Sequence, residues 1–336
     1  MILLLELGLL FFHLLAWVAV GHALLTKRDP RSALGWSVVV LFMPVVGVIA
    51  YAIFGIGRTE SRAAAIMRHN AALAPGYTHP ALGAKVPEQI PEQIRHMELL
   101  GRHLTQQHLC GGNSIEPLIN GNEAYPAMLE AIRQAKDHVY LLTYIFNSGE
   151  VADSFAKELT AAVQRGVDVR ILLDGLGRFY SFRTPVRKIA KAGARVAYFL
   201  PPRLFPPNLM INLRDHRKLL VCDDIAFTGG MNIADYHVVL PGRRHCVQDM
   251  QFCCQGPITR ELRRAFLMDW GFATGKYDTA LPERSPERVG RSLCRIVMDG
   301  PGGSTDPLND LIAGSISNAV KKVRIMTPYF LPSREI

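Results

Sequence analysis

The sequence has no C-x-x-C pair and no cysteines at zinc-ligand spacing. Cys110, Cys222, Cys246, Cys253, Cys254 and Cys294 are scattered instead, several of them inside apolar runs. This excludes a zinc site of the usual pattern and a vicinal redox pair. The six read as reduced thiols, which favours a soluble part facing the cytosol. Acids are also scarce: 29 Asp and Glu against 38 Lys and Arg leave a formal charge of +9 and a pI near 9.4. Such a balance favours an anionic partner, whether nucleic acid, an acidic membrane surface or a phosphorylated substrate. Basic residues are missing from the start, where "MILLLE" carries an acid, and a second apolar run follows the first. A cleaved signal peptide fits neither feature.

What stands there is a pair of apolar runs, 2–25 and 33–56, each long enough to cross a bilayer as a helix. Residues 1–60 are therefore expected to form a two-helix membrane anchor. Lys27, Arg28 and Arg31 flank one face and Arg58, Arg62 and Arg68 the other, so charge does not orient it. Glu6 and His22 lie near the ends of the first run and only His13 is deep; helix packing accounts for them best. Pro44 and the following glycines point to a kink or a re-entrant turn in the second run.

Residues 61–114 are polar, with the Pro- and Gly-rich "APGYTHPALGAKVPEQIPEQ", and read as a juxtamembrane helix and linker. From about 115 helical and strand patterns alternate: "AYPAMLEAIRQAKD", "HVYLLTYIF", "VADSFAKELTAAVQRG", "VDVRILLDGLG". The expected fold class is α/β, a lobe over 115–290 with a mixed, largely parallel sheet flanked by helices. The stretch 131–146 is echoed at 315–330, at an offset of 184 between Ala135 and Ala319, so 291–336 reads as the start of a second lobe.

The stretch that carries chemistry is "RDHRKLLVCDD", residues 214–224, which contains H-x-K-x-x-x-x-D as His216, Lys218 and Asp223. Residues two apart in a strand share a face, so His216 and Lys218 project together, and a tight turn at Asp223 and Asp224 leads back through "IAF" to "TGGMN". Placing an imidazole beside an ammonium in an apolar run raises the cost of charging each. Phosphoryl chemistry gives that arrangement a use. The lysine discourages protonation of the histidine and keeps it nucleophilic, and a bound phosphodiester offsets the ammonium. A core histidine beside a snorkelling lysine is the bland alternative.

With "FTGGMN", "TYIF", "RGVDVRILLDGLG", "QDMQFCCQGPI", "FLMDW", "MDGPGG" and "TPYFLP" beside that motif, the chain resembles the phospholipase D superfamily, closest to its bacterial cardiolipin synthase branch. "RDPRSALGW" through "MPVVGVIAYAIFG" is similar to the two-helix anchor of these synthases. The resemblance implies two lobes, each giving one motif to a shared cleft, with one histidine forming a phosphohistidine and the other serving as acid and base. It implies a membrane phosphatidyltransferase that turns two phosphatidylglycerols into cardiolipin and glycerol, with no cofactor and no metal, since lysines supply the positive charge. Anionic membrane lipids are the implied partners, and the implied place is the bacterial inner membrane with the catalytic part in the cytoplasm. Carried over, His216 is nucleophile or acid/base, Lys218 a phosphate clamp, Asp223 a charge partner fixing the hairpin, Asn232 a hydrogen-bond donor to phosphate, and Asp249 an orienter of an imidazole Nδ1. "RLFPPNLMIN" is a candidate loop for dipping into the lipid surface.

The chain departs from the pattern in three respects. Five residues separate Asp223 from Gly229 where six are expected, and Gly230 stands where many members have serine. The second motif should fall near position 400, beyond Ile336, and no other H-x-K with a following Asp occurs. A piece of an ordinary synthase is the favoured reading. Two others stay open: a half-enzyme that pairs two His216 motifs across a two-fold axis, and a non-catalytic membrane scaffold. A nuclease of the same superfamily uses the same chemistry, and the anchor weighs against nucleic acid as substrate.

Overall fold

The computed structural model describes residues 2–27, 30–56, 91–177, 185–201, 214–242, 244–277, 286–298 and 307–327. It divides into two compact units, Met1–Ala64 and Ala65–Ile336. The first is helical. α1 (Ile2–Thr26) is followed by α2 (Pro30–Phe42), α3 (Pro44–Ala50) and a π-helical turn, Tyr51–Gly55. Nothing interrupts the apolar run of α1, and among the described residues it is the one helix long and apolar enough to cross a membrane. The second apolar run, expected as one helix, is two short ones. Pro44 has no N–H to donate and its ring denies helical geometry to the residue before it, so Met43 turns out to φ −131°, ψ 68°. The unit closes on a seam of small side chains, with Ala16, Val20 and Ala23 of α1 packed against Val40 and Tyr51. Its polar pin is His22 Nδ1 to the Tyr51 hydroxyl at 2.8 Å, so His22 packs between helices as expected. Arg28, Arg58, Arg62 and Arg68 lie outside the described residues.

The second unit runs α4 (Glu92–Thr105), β1 (Cys110–Ile119), α5 (Asn120–Gln134), β2 (His138–Thr143), α6 (Glu150–Gln164), β3 (Asp168–Asp174), α7 (Val186–Lys191), β4 (Arg195–Phe199), β5 (Leu219–Cys222), β6 (Ile225–Gly229), β7 (Met250–Gln255), α8 (Ile258–Thr274), β8 (Ser292–Cys294) and α9 (Pro307–Ser317). One sheet holds the strands in the order β4-β3-β2-β5-β6-β7-β1-β8. β2 is buried along its whole length, and β3 from Val169 onward, because both sheet faces are covered. Val139, Leu141, Val169, Ile171 and Leu220 pack with α5, α6 and α7 on one face. Tyr140, Leu142, Leu172, Leu219 and Val221 pack with α8 on the other.

The mixed α/β class is as the sequence pattern indicates, but the balance within the sheet is corrected. Only β2–β3 and β3–β4, joined by the crossover helices α6 and α7, are parallel; the remaining pairings among the described residues are antiparallel. β1 begins at Cys110, ahead of the lobe boundary expected at 115, and β8, beyond the one expected at 290, pairs with β1. α9 lies on α4, where His96 Nδ1 meets Asn318 Oδ1 at 3.3 Å. The strand implied by the internal repeat does not form over 318–327, where Val320, Val323, Ile325 and Met326 are exposed and, among the described residues, no strand lies alongside to pair with them. The "RLFPPNLMIN" stretch lies outside the described residues.

Candidate active site

Residues 214–218 run extended into the start of β5 and arrive at the ends of β2 and β3. Alternate side chains face opposite ways. Arg217 forms an ion pair with Asp269 of α8, and Asp215 Oδ1 accepts the Arg217 N–H at 3.0 Å. At the end of β3, Asp174 takes the Asp215 N–H on Oδ2 at 3.1 Å and turns Oδ1 to Arg214 Nη1 at 3.6 Å and the Leu176 N–H at 2.8 Å. The segment bearing the motif is thus clamped from behind by three acids of which two, Asp215 and Asp269, are raised above the ordinary carboxylate range by burial.

His216 and Lys218 take the open side. The imidazole is exposed, a correction to the expectation that it is buried, because the segment reaches solvent before the strand begins. One face of it is covered: the Tyr144 ring stacks on it with centroids 4.2 Å apart and planes at 18°. Lys218 is half-buried, bonds back to the His216 carbonyl oxygen, and holds Nζ 5.6 Å from the centre of the same Tyr144 ring. Partial burial and then the Lys218 charge lower the His216 pKa, against Asp174 and Asp215, which raise it. Burial also lowers Lys218, opposed by Asp215, Asp249 and Asp174. The outcome is a neutral imidazole beside an ammonium, both open to an approaching anion.

The other motif residues divide. Asp223 sits at the far end of β5, in the two-residue turn that joins Cys222 to Ile225, at φ +50°. Its carboxylate accepts the backbone N–H groups of Lys136, Asp137 and His138 at 2.8, 3.1 and 2.9 Å, so it ties the hairpin to β2 and does not reach His216. A cavity of about 680 Å³ opens at that end, beside Asp137, His138, Asp224 and Arg263. Asn232 is at the His216 end despite the shortened turn. Its Oδ1 accepts the Ile145 N–H at 3.1 Å, which leaves Nδ2 as the donor. Asp249 acts electrostatically on Lys218 and on the buried His237, not on His216. A Cβ at Gly230 would stand 2.4 Å from Asp249 Oδ1, so a serine in its place would require the carboxylate to move. Among the described residues no group of three or more His, Cys, Asp or Glu is placed to hold a metal ion.

Sequence reasoning missed Tyr144, Asp174, Asp215, Arg217, His237 and Asp269. Only Asp269 left a readable signal, as an acid on the buried stripe of α8 between Phe266 and Trp270.

An exposed imidazole and a partly desolvated ammonium, set at the carboxyl ends of two parallel strands, form a candidate site with the chemistry an anionic phosphate group calls for. Residues 128–270 match the family described as Cardiolipin synthase, PLD-like domain, and residues 14–55 match Phospholipase D-nuclease N-terminal. The chain is 27% identical to the major cardiolipin synthase ClsA of Bacillus subtilis (strain 168), over 97% of this chain and 70% of that protein. It is 28% identical to a cardiolipin synthase of Oceanobacillus iheyensis, over 98% of this chain and 70% of that one. Among solved structures, phosphatidylserine synthase of Haemophilus influenzae Rd KW20 superposes with a TM-score of 0.40 at 15% identity, covering 67% of this chain and 57% of that one. The chain thus carries a phospholipase D-like domain with the matching N-terminal segment, and over nearly its whole length it is similar to cardiolipin synthases.

Proposed function

We propose that this chain supplies the first half of a phosphatidyltransferase site that makes cardiolipin from two phosphatidylglycerols, held at the membrane by its N-terminal unit. The observation that carries the reading is the pairing of His216 with Lys218 on the open end of β5. A nitrogen of His216 attacks the phosphorus of one phosphatidylglycerol, the bond to the headgroup oxygen breaks, and glycerol leaves with a proton from a second imidazole. The hydroxyl of another phosphatidylglycerol then attacks the phosphohistidine, its proton passes to the second imidazole, the N–P bond breaks, and His216 is restored. Lys218 and Asn232 Nδ2 offer the non-bridging oxygens a charge and a donor, which are interactions that strengthen as negative charge builds. Asp223 serves by holding the hairpin.

The membrane part of this reading rests on α1, about 37 Å long at 1.5 Å per residue against a hydrocarbon layer of about 30 Å. The second imidazole is assigned to a second motif, in a continuation of the chain or in a second copy. Phosphatidylglycerol vesicles labelled in the phosphatidyl group test the site. Label should appear on His216, and cardiolipin should form when a chain continued through a second motif is supplied. Cleavage of single-stranded DNA with no lipid turnover, or turnover that survives His216→Gln, overturns the assignment.

A further inference from the structure

The stack between Tyr144 and His216 has a chemical consequence that neither the motif nor the resemblance contains. Tyr144 directly follows the last residue of β2, and the backbone after it is tied down. The Ile145 N–H is bonded to Asn232 Oδ1 at 3.1 Å, and Phe146, buried, bridges to Ile233 in the segment after β6. The backbone that carries the ring is therefore anchored on both sides. The ring lies parallel to the imidazole at 4.2 Å and under the Lys218 ammonium at 5.6 Å. An aromatic face carries negative potential and attracts a cation placed over it.

His216 begins neutral and ends charged. As its lone pair becomes the N–P bond and the P–O bond to the headgroup breaks, the oxygen leaves with the bonding electrons and takes a proton from the acid. The imidazole, phosphorylated on one nitrogen and still protonated on the other, is left with one positive charge. Lys218 is already positive beside it. The charged groups that act on the imidazole are Lys218 beside it, Asp215 from behind its own segment and Asp174 from the end of β3, with Asp249 acting on Lys218. The two nearer acids are committed to backbone and arginine, so the group that meets the ring over a whole face is Tyr144.

We infer that Tyr144 is a positioning residue for His216 whose ring face also stabilises the positive charge the imidazole acquires on phosphorylation. The inference rests on the proposed role of His216 as the group that is phosphorylated, but its test needs no turnover.

Tyr144 is replaced by phenylalanine and then by mono-, di- and trifluorinated phenylalanine, which keep the shape of the ring and progressively remove its negative face. The His216 titration is followed in the full chain by NMR of ¹³C-labelled histidine, its resonance identified by its loss in His216→Gln. The expected result is a stepwise fall of the His216 pKa through the series, by about half to one pH unit in all, since protonation mimics the charge gained on phosphorylation. A pKa that stays constant through the fluorinated series overturns the inference, even if Tyr144→Leu shifts it, because the ring would then act only by excluding water. In a preparation that turns over lipid, the same series should lower kcat in step and leave KM unchanged. If no lipid is turned over while the pKa still falls, the transferase reading fails and the role of Tyr144 as a charge-stabilising face stands.

Discussion

The carboxylate of Asp223 accepts the backbone N–H of His138 at 2.9 Å, from a turn between β5 and β6 to the first residue of β2. Two more N–H groups, of Lys136 and Asp137, bond to the same carboxylate. The last residue of the motif thus acts on stability. Asp223→Ala leaves three donors without their acceptor and should cost about 2–4 kcal/mol in denaturant unfolding of the second unit. Asp223→Asn keeps one acceptor oxygen and a residue type that tolerates φ +50°, so its loss should be smaller. If both variants unfold like the parent, the carboxylate does not hold the hairpin.

His216 should show the opposite profile. Its side chain is exposed and its ring touches Tyr144, so His216→Gln should leave unfolding within about 0.5 kcal/mol of the parent. Transfer of label from phosphatidylglycerol to protein should disappear. A variant that loses stability in proportion to activity would place His216 in the scaffold.

Lys218 sets the acid side of the pH profile. His216 must be neutral to attack, so activity falls as pH drops through its pKa, which burial and Lys218 hold below the ordinary value of 6.5. Lys218 must be charged, so activity also falls as pH rises through its own pKa, held below 10.5 by burial. Both limbs move to lower pH than free side chains would give. Lys218→Met removes the repulsion and should raise the His216 pKa towards 6.5, visible in the histidine NMR titration of the chain itself. An unchanged or lower pKa in that variant would mean the ammonium does not act on the ring.

The placing of His216 beside Lys218 was legible in the sequence because their spacing of two is the strand period and their neighbours are apolar. The β5–β6 turn was legible for the same reason, being bounded by Asp223 and Asp224 and an apolar return. What the sequence hides is contact between distant segments. Nothing near "TYIF" marks Tyr144 as the partner of a residue 72 positions later, since a tyrosine at a strand end fits a packing role equally well. The sheet's antiparallel majority was hidden because an apolar run buried on both faces reads alike in either orientation, and β5 and β6 are both of that kind. Asp249 was found by resemblance, yet its effect falls on Lys218 and His237, and its close approach to Gly230 is visible only in the structure.

His138 makes the second unit sensitive to acid. Its ring is buried, with Nε2 enclosed and unpartnered, and burial followed by the Arg263 charge pushes its pKa down to about 4. The folded protein therefore holds this ring neutral where the unfolded chain, near 6.5, protonates it. The stabilising contribution is present above pH 6.5 and drains away as pH falls towards 4, by about 3 kcal/mol at most. His138→Gln should flatten the dependence of Tm on pH across that window. If the slope is the same in the variant, other groups carry the acid sensitivity.

In the N-terminal unit two glycines should respond in opposite directions to the same change. A Cβ at Gly47 would stand 2.5 Å from the Val39 carbonyl oxygen and 2.8 Å from Val40 Cα, both backbone atoms that cannot swing away. Gly35, on α2, has nothing within 4 Å of the corresponding point. Alanine favours a helix over glycine by about 1 kcal/mol, so Gly35→Ala should raise the Tm of the detergent-solubilised protein or leave it unchanged. Gly47→Ala gains the same helix preference but forces α3 away from α2, which also pulls the Tyr51 hydroxyl from His22. Packing of small residues at close approach is what holds helices together where lipid replaces water, so the separation should outweigh the gain and lower the Tm. Equal shifts at the two positions would show that the fold of the second apolar run does not depend on the contact at Gly47.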